Sequence, residues 1–388
     1  MSFQGGEHAA GQVTESVAEA VAALRPGTTK DWAGTTARGL TWSCRATAEH
    51  IASDLIAYAG QLAGRAQDAY VPFQITIDGT EGGLDPADNA GTLQVIETTG
   101  ALLAAAVRTA PRAARAFHPY PFRGAGREGF AAMGVAEVLL HTHDLTEALG
   151  LAYEPSPAHA EFVLRTIFPH IQPDADPWRT LLWATGRGEL PGRAPVTEWR
   201  WNNNLVLPAG RLVLEGLTPA AATDLTAGGD GGFRWIEGGP MDGTRVAAGL
   251  LLKAYIEGVL RPQFGVFVLV RAEDDLAVGG IGFHSAPDED GRVEIGYDLV
   301  ESARGQGYAT EALRALADWA LARDDVRSLF ATVEPDNAPS QAVLTRAGFQ
   351  RVSTDPGPSH GQGAGADDGH GHGDTDELYA YELLPTTR

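Results

Sequence analysis

The chain of 388 residues carries 29 Lys and Arg against 50 Asp and Glu, a formal net charge of −21. Such a surface repels the phosphates of nucleic acid, so a nucleic-acid partner is not expected. The length admits two or three domains, and an apolar fraction of 44% supports ordinary globular cores. No apolar run reaches the roughly 18–20 residues of a membrane span. The start, Met1 to Gln12, is polar and Gly-rich and lacks the features of a secretory leader. Cys44 is the one cysteine, which excludes an internal disulfide. The expectation is a cytoplasmic protein without a membrane partner. Its acidity serves either solubility or the attraction of a cationic ligand.

Residues 1–28 read as an N-terminal extension: a loose start, then a helix over Val13 to Leu24, ended by the turn at Pro26-Gly27. Residues 29–185 read as a helical domain. Ala46 to Leu62 carries Ile51, Leu55 and Tyr58 on one stripe, and Asn89 to Val107 is rich in Ala and Leu. Phe130 to Leu149 is long, and Pro155 to Phe168 opens at Ser156-Pro157. Four such helices with modest connections predict an antiparallel bundle, with Asp176 to Thr185 a further helix. Residues 186–208, rich in Pro, Gly, Trp and Arg, read as a linker.

From 209 to 388 strands and helices alternate. The pattern changes at Arg211 to Thr218, and strands are predicted over Phe264–Arg271, Gly279–His284, Arg292–Val300, Ser328–Glu334, Phe349–Ser353 and Glu377–Leu384. The fold class is therefore multidomain, an all-α bundle followed by a mixed α/β domain. Residues 355–376 are rich in Gly, Asp and His and cannot bury enough apolar area to offset their ordering entropy. They read as a mobile loop, whose histidines either bind metal or stay unpositioned among the glycines.

The segment Arg304-Gly305-Gln306-Gly307-Tyr308-Ala309 lies between the strand Arg292 to Val300 and a helix-like run, Thr310 to Leu321, with Leu313, Leu316, Ala317 and Ala320 on one face. A glycine-rich turn opening a helix presents unpartnered N–H groups backed by the helix dipole, an arrangement suited to a pyrophosphate. Glu294-Ile295-Gly296-Tyr297 precedes the turn; Asn337-x-x-Ser340 and Ala347-Gly348-Phe349 follow it. In this order and spacing the four elements resemble the GNAT acyltransferases, in particular the subgroup containing ribosomal-protein N-terminal acetyltransferases.

The resemblance implies acetyl-CoA as acyl donor and a primary amine as acceptor, on a small molecule or a protein N-terminus. It implies a sheet splayed between the strand ending at Leu299 and the strand Leu329 to Val333. The pantetheine arm would lie in that gap, with the Leu299 N–H on the thioester oxygen and Asn337 on the pantetheine or its supporting loop. Residues Arg304, Gly305, Gln306, Gly307, Tyr308 and Ala309 would hold the diphosphate. Glu294 is the first choice of general base, provided partial burial raises its pKa; it otherwise orders the strand. Glu334 is the weaker alternative. Ser340 either caps the following helix or faces the thiol. Leu344 stands where many relatives carry a tyrosine acid, which leaves solvent or Ser340 to serve as the acid. Trp235 and Glu237 either grip the acceptor or pack at the rim.

In the helical half, Glu137 and His141 share a helix face at i, i+4 spacing, and His50 lies on an earlier helix. Together they make either a His–carboxylate pair or an ion site with an open position. Trp42-Ser-x-x-x-Thr-Ala-x-His50 with Glu137-Val-Leu-Leu-His141-Thr-His-Asp144-Leu145 resembles the N-terminal domain of mycothiol-dependent maleylpyruvate isomerases, a DinB-like four-helix fold. The resemblance implies a divalent metal, zinc or a similar ion, on His50, Glu137 and His141, and a low-molecular-weight thiol as partner. It offers an alternative activity, a metal-dependent thiol transferase or isomerase, or a bundle that only binds a ligand. Asp144 would then orient a neighbouring helix or a ligand, His143 points elsewhere, and Cys44 is a buried free thiol.

Overall fold

The computed structural model describes residues 5–71, 88–112, 114–119, 124–171, 174–352 and 378–385. The loop predicted at 355–376 lies outside these. The chain divides into two compact units, residues 1–206 with 216–234 and 255–258, and residues 207–215 with 235–254 and 259–388. The stretch 186–208, predicted as a linker, falls almost wholly in the first unit, where Leu190, Asn203 and Leu205 are buried.

The long helices of the first unit are α1 (Gly5–Leu24), α2 (Cys44–Gly64), α3 (Asn89–Thr109) and α4 (Arg127–Leu149). Helices α1 and α2 each pack against both α3 and α4, so they stand diagonally in the bundle. The fourth bundle helix is therefore α1, not the Pro155–Phe168 segment that the sequence suggests. That segment is the shorter α5 (Pro157–Ile167), followed by α6 (Pro177–Ala184). The stripe of α1 is mostly small: Ala9, Ala10, Val13, Val17, Ala20, Val21 and Leu24 are all buried. Small residues allow close approach, and on α3 a Cβ at Gly100 would lie 2.8 Å from Val17. A stripe of alanine and valine is a weak hydrophobic signal, so the sequence marks the helix only over Val13 to Leu24 and does not mark it as a member of the bundle. Contrary to the sequence expectation, α3 is long and apolar enough by length and composition to cross a membrane, but half of its most apolar window is buried in the bundle. Its apolar stripe Leu93, Ile96, Leu103 and Val107 belongs to the core.

The second unit is organised by a sheet of nine strands. They are β1 (Val206–Ala209), β2 (Leu212–Gly216), β3 (Arg234–Trp235), β4 (Val266–Arg271), β5 (Leu276–Phe283), β6 (Arg292–Leu299), β7 (Ser328–Val333), β8 (Gln350–Val352) and β9 (Tyr379–Leu383). Their order is β1-β2-β4-β5-β6-β7-β9-β8, with β3 paired to β5. The predicted strands recur within a few residues; β1, β3 and the short helix α7 (Pro219–Thr226) have no counterpart in the prediction. Helices α8 (Asp242–Ile256), α9 (Tyr308–Leu321) and α10 (Ala338–Arg346) complete the described α-helices.

One junction in the sheet is parallel, between β6 and β7. It holds for three pairs, Arg292 with Ser328, Val293 with Leu329 and Glu294 with Phe330, and then the strands part. On its other side β6 stays paired to β5 as far as Leu299 opposite Gly279. Asp298 adds a clamp: its carboxylate accepts from the Thr244 N–H at 2.6 Å, the Thr244 hydroxyl at 2.7 Å and the Gly280 N–H at 2.9 Å. It thus caps α8 from the sheet. Glycine at 279 is required by this close approach, since a Cβ there would lie 2.2 Å from the Asp298 carbonyl oxygen. Gly279→Ala should therefore destabilise the fold by about 1–3 kcal/mol, the usual cost of overpacking against backbone. Urea unfolding followed by tryptophan fluorescence would read this as a lowered midpoint.

Candidate active site

The parting of β6 and β7 opens a cavity of about 530 Å³. Tyr297, Thr332 and Ser340 line it from the gap, and Thr244, Val246 and Leu250 of α8 line it from one side. The β6 edge facing the gap is identifiable from hydrogen bonding. The Glu294 carbonyl accepts from His284 N–H and the Val300 N–H donates to Val278, so even-numbered residues turn their main chain to β5. Strand alternation then turns the main-chain groups of Tyr297 and Leu299 to the edge that β7 has left. The Leu299 carbonyl is taken by Arg304 Nε at 3.1 Å.

The chain then enters the glycine-rich turn. Gly305 and Gly307 have φ of +75° and +86°, which favours glycine at both. Gly307 is the N-cap of α9, and its carbonyl accepts from the Glu311 N–H. Among the described residues, the N–H groups of residues 305 to 310 donate no backbone hydrogen bond. No atom lies within 4 Å of a Cβ built at Gly305, so the turn faces open space. Arg211 braces the turn: it donates to the Gln306 carbonyl at 2.7 Å, pairs with Glu311 at 2.6 Å and stacks its guanidinium over Tyr308 at 4.6 Å. Gln306 donates to the Ser302 carbonyl at 3.1 Å. Tyr308 and Ala309 are buried, so they can offer a ligand only their main chain.

Residues 211–350 match the family of the acetyltransferase (GNAT) domain. Similar to part of this chain are the "Uncharacterized N-acetyltransferase YjdG" of Bacillus subtilis (strain 168), 41% identical over 22% of this chain and 51% of its own, and the "Uncharacterized N-acetyltransferase p20" of Bacillus licheniformis, 37% identical over 24% and 52%. The chain spans about half the length of the curated relatives it matches. A solved acetyltransferase from Salmonella typhimurium, described as modifying the N-terminal serine of ribosomal protein L7/L12, is 18% identical with a TM-score of 0.32, over 47% of this chain and 100% of that one. An acetyltransferase from Agrobacterium tumefaciens is 22% identical with a TM-score of 0.32, over 50% and 100%.

Within the GNAT region several sequence expectations need correction. Glu294 does lie in the cavity, but its pKa does not rise. His284 Nδ1 stands 3.1 Å from Glu294 Oε2 and the Thr332 hydroxyl donates to Oε1 at 2.9 Å. The imidazole outweighs burial and holds the carboxylate below its ordinary value, while the same bond raises His284. Ser340 does not cap α10. Asn337 does, its Oδ1 accepting from the Ser340 N–H at 3.1 Å. Trp235 and Glu237 are not among the described residues lining the cavity; α8 supplies that wall instead. Glu334 lines the cavity, and Leu344 is fully buried there.

Two cavity residues went unassigned in the sequence reading. Tyr297 donates to the Ser340 carbonyl at 3.1 Å, and burial pushes its hydroxyl up to about 12. Its place in Glu294-Ile295-Gly296-Tyr297 was the available signal. His284 had none, because its partner lies across a strand pair.

In the first unit, His50 on α2 meets Glu137 and His141 on α4, with one ligand atom of each within 4.8 Å of the others. Glu137 Oε2 is 3.1 Å from His141 Nε2 and 3.5 Å from His50 Nε2. Asp144 holds His141 Nδ1 at 3.1 Å and is itself gripped by Arg187 at 2.9 and 3.0 Å. Asp54, one turn along α2 and 3.4 Å from His50 Nε2, is a member that the sequence reading missed, although its i, i+4 spacing from His50 was legible. Burial, with the charge of Glu137, pushes Asp54 up to about 7. Burial opposes both other shifts: hydrogen bonds from the imidazoles hold Glu137 well down, and bonds to Asp144 and Glu137 lift His141 to about 9. His143 turns away to stack on Trp178 at 5.7 Å, and Cys44 is a buried free thiol.

The opposed shifts of His284 and Glu294 give a pH signature. The raised imidazole stabilises the fold fully below its unfolded value of 6.5 and loses this as pH rises through the folded value. The depressed carboxylate stabilises above its unfolded value of 4.5 and loses this as pH falls through the folded value. Thermal unfolding of His284→Gln against the parent should therefore differ most between pH 4.5 and 6.5 and converge as pH rises past the folded value of His284.

Proposed function

We propose that the second unit transfers an acetyl group from acetyl-CoA to a primary amine, on a small molecule or a protein N-terminus. The observation that carries this reading is the open β6 edge running into a turn whose N–H groups, 305 to 310, are unspent. The diphosphate of CoA suits that turn, held by Gly305, Gln306, Gly307 and the main chain of Tyr308 and Ala309, with Arg304 beside it. The pantetheine amides suit the edge-facing main chain of Tyr297 and the Leu299 N–H, the Leu299 carbonyl being taken by Arg304. The Leu299 N–H then meets the thioester oxygen; such a donor typically contributes about 3–4 kcal/mol when charge develops there. Tyr297, protonated at any physiological pH, stands beside Ser340 as the proton source for the departing sulfur. This reading fills the role that Leu344 cannot. Gly307→Glu would force a non-glycine residue to positive φ and set a negative charge in the cradle. It should weaken CoA binding by more than about tenfold, roughly 1.4 kcal/mol, in calorimetry, with loss of acetyl-CoA consumption.

The first unit supports a separate reading, a divalent-cation site such as zinc on a DinB-like bundle. Two imidazoles and a carboxylate converge, and the His141 nitrogen that faces them is aimed by Asp144 on the opposite ring nitrogen, the usual second layer of such sites. Asp54 offers a further oxygen. A bound cation would supply positive charge that favours the thiolate form of a low-molecular-weight thiol. Competitive chelator titration with zinc should give a tight site that His141→Ala abolishes and Asp144→Asn weakens about 10–100-fold.

A further inference from the structure

We propose that His284 is the general base of the acetyl transfer, and that Glu294 is the positioning residue that orients it. The proposal rests on the acetyl-transfer reading above. Glu294 is poorly placed to take a proton, because Oε2 is committed to His284 Nδ1 and Oε1 to the Thr332 hydroxyl. The imidazole is held by the Glu294 carboxylate on one nitrogen and by its own main chain, which donates to the Glu294 carbonyl at 3.0 Å. Its other nitrogen reaches over Gly296: a Cβ built there would lie 2.8 Å from His284 Nε2. Gly296 lies just past the last β6–β7 pair, so Nε2 stands where the gap opens into the cavity, and the side chain is 49% exposed. Among the described residues no group is bonded to Nε2. A carboxylate on Nδ1 fixes the tautomer that leaves Nε2 as acceptor, the arrangement a base toward an incoming amine requires.

The step balances as follows. Nε2 of the neutral imidazole takes one proton from R–NH₃⁺, and the freed lone pair forms the C–N bond. The C–S bond breaks, Tyr297 protonates the departing sulfur and is restored by the second nitrogen proton, and His284 returns its proton to water. The sum is R–NH₃⁺ plus acetyl-CoA giving amide, CoA and H⁺. Because the acid form is inactive, the rate rises with pH through the His284 titration, and Glu294 sets where that rise falls.

The test uses the full-length protein with acetyl-CoA and phenethylamine as probe amine. For His284→Gln we expect a fall of at least about 100-fold in kcat/KM, within the usual range for losing a general base, with CoA affinity unchanged in calorimetry. Glu294→Gln should retain more activity and shift the rising limb of the pH profile to lower pH. Gly296→Ala should resemble His284→Gln, because the added methyl displaces the ring without removing it. An effect of His284→Gln below threefold, or an unmoved limb in Glu294→Gln, overturns the proposal. Failure of the parent protein to bind CoA overturns the acetyl-transfer reading instead. Should phenethylamine not turn over, carbethoxylation of His284 by diethyl pyrocarbonate, located by peptide mass spectrometry, decides. Labelling that is blocked by CoA and moves to lower pH in Glu294→Gln supports the dyad, and an unreactive His284 overturns it.

Discussion

The second unit depends on a single disagreement between two strands. Strands β6 and β7 are parallel neighbours for three residue pairs and then separate, while β6 keeps its partner β5 on the other side. A strand held along one edge and abandoned along the other exposes main-chain donors and acceptors that ordinarily must be paired. Free polar backbone in a concave, partly apolar site is costly unless something extended pairs with it. The clamp of Asp298 on Thr244 and Gly280 keeps β6 from following β7 and ties α8 to the same edge.

The turn after β6 works by the same logic. Its amides are left free because the two glycines take positive φ and α9 begins immediately, so no intrahelical acceptor exists for the first N–H groups. An anionic ligand held here by a protein of net charge −21 would depend on local means alone. Arg211 cannot serve fully as a ligand, since it is engaged by Glu311, the Gln306 carbonyl and the Tyr308 ring. It stiffens the turn, and Arg304 and the amides remain to meet negative charge.

The first unit reaches its charged cluster by a different route. Helices α2 and α4 pack through small and aliphatic residues, and the i, i+4 pairs on each helix bring imidazoles and carboxylates to one half-buried place. Glu137 is held ionised by two imidazoles, while Asp54, buried beside the charge of Glu137, is driven toward its neutral form although His50 lies 3.4 Å away. Asp144 and Arg187 anchor the arrangement from behind.

Local patterns were legible from residues alone. The turn Arg304–Ala309, the strands around it, the α9 core face and the Glu137–His141 pair follow from period, glycine placement and i, i+4 spacing, which are properties of neighbours in sequence, whereas His50 joined that pair through the family resemblance. The α1 stripe was not legible, because alanine gives little hydrophobic contrast until a facing Gly100 lets it pack. Nor was the pKa of Glu294: its direction was set by His284 and Thr332, each brought beside it by strand pairing. The capping role passed from Ser340 to Asn337, and the cavity wall from Trp235 and Glu237 to α8, for the same reason. The sequence by itself determined which backbone turns and helix faces could exist. Only the tertiary structure decided which side chains share a charge, because electrostatic partners are chosen by distance in space and strand register.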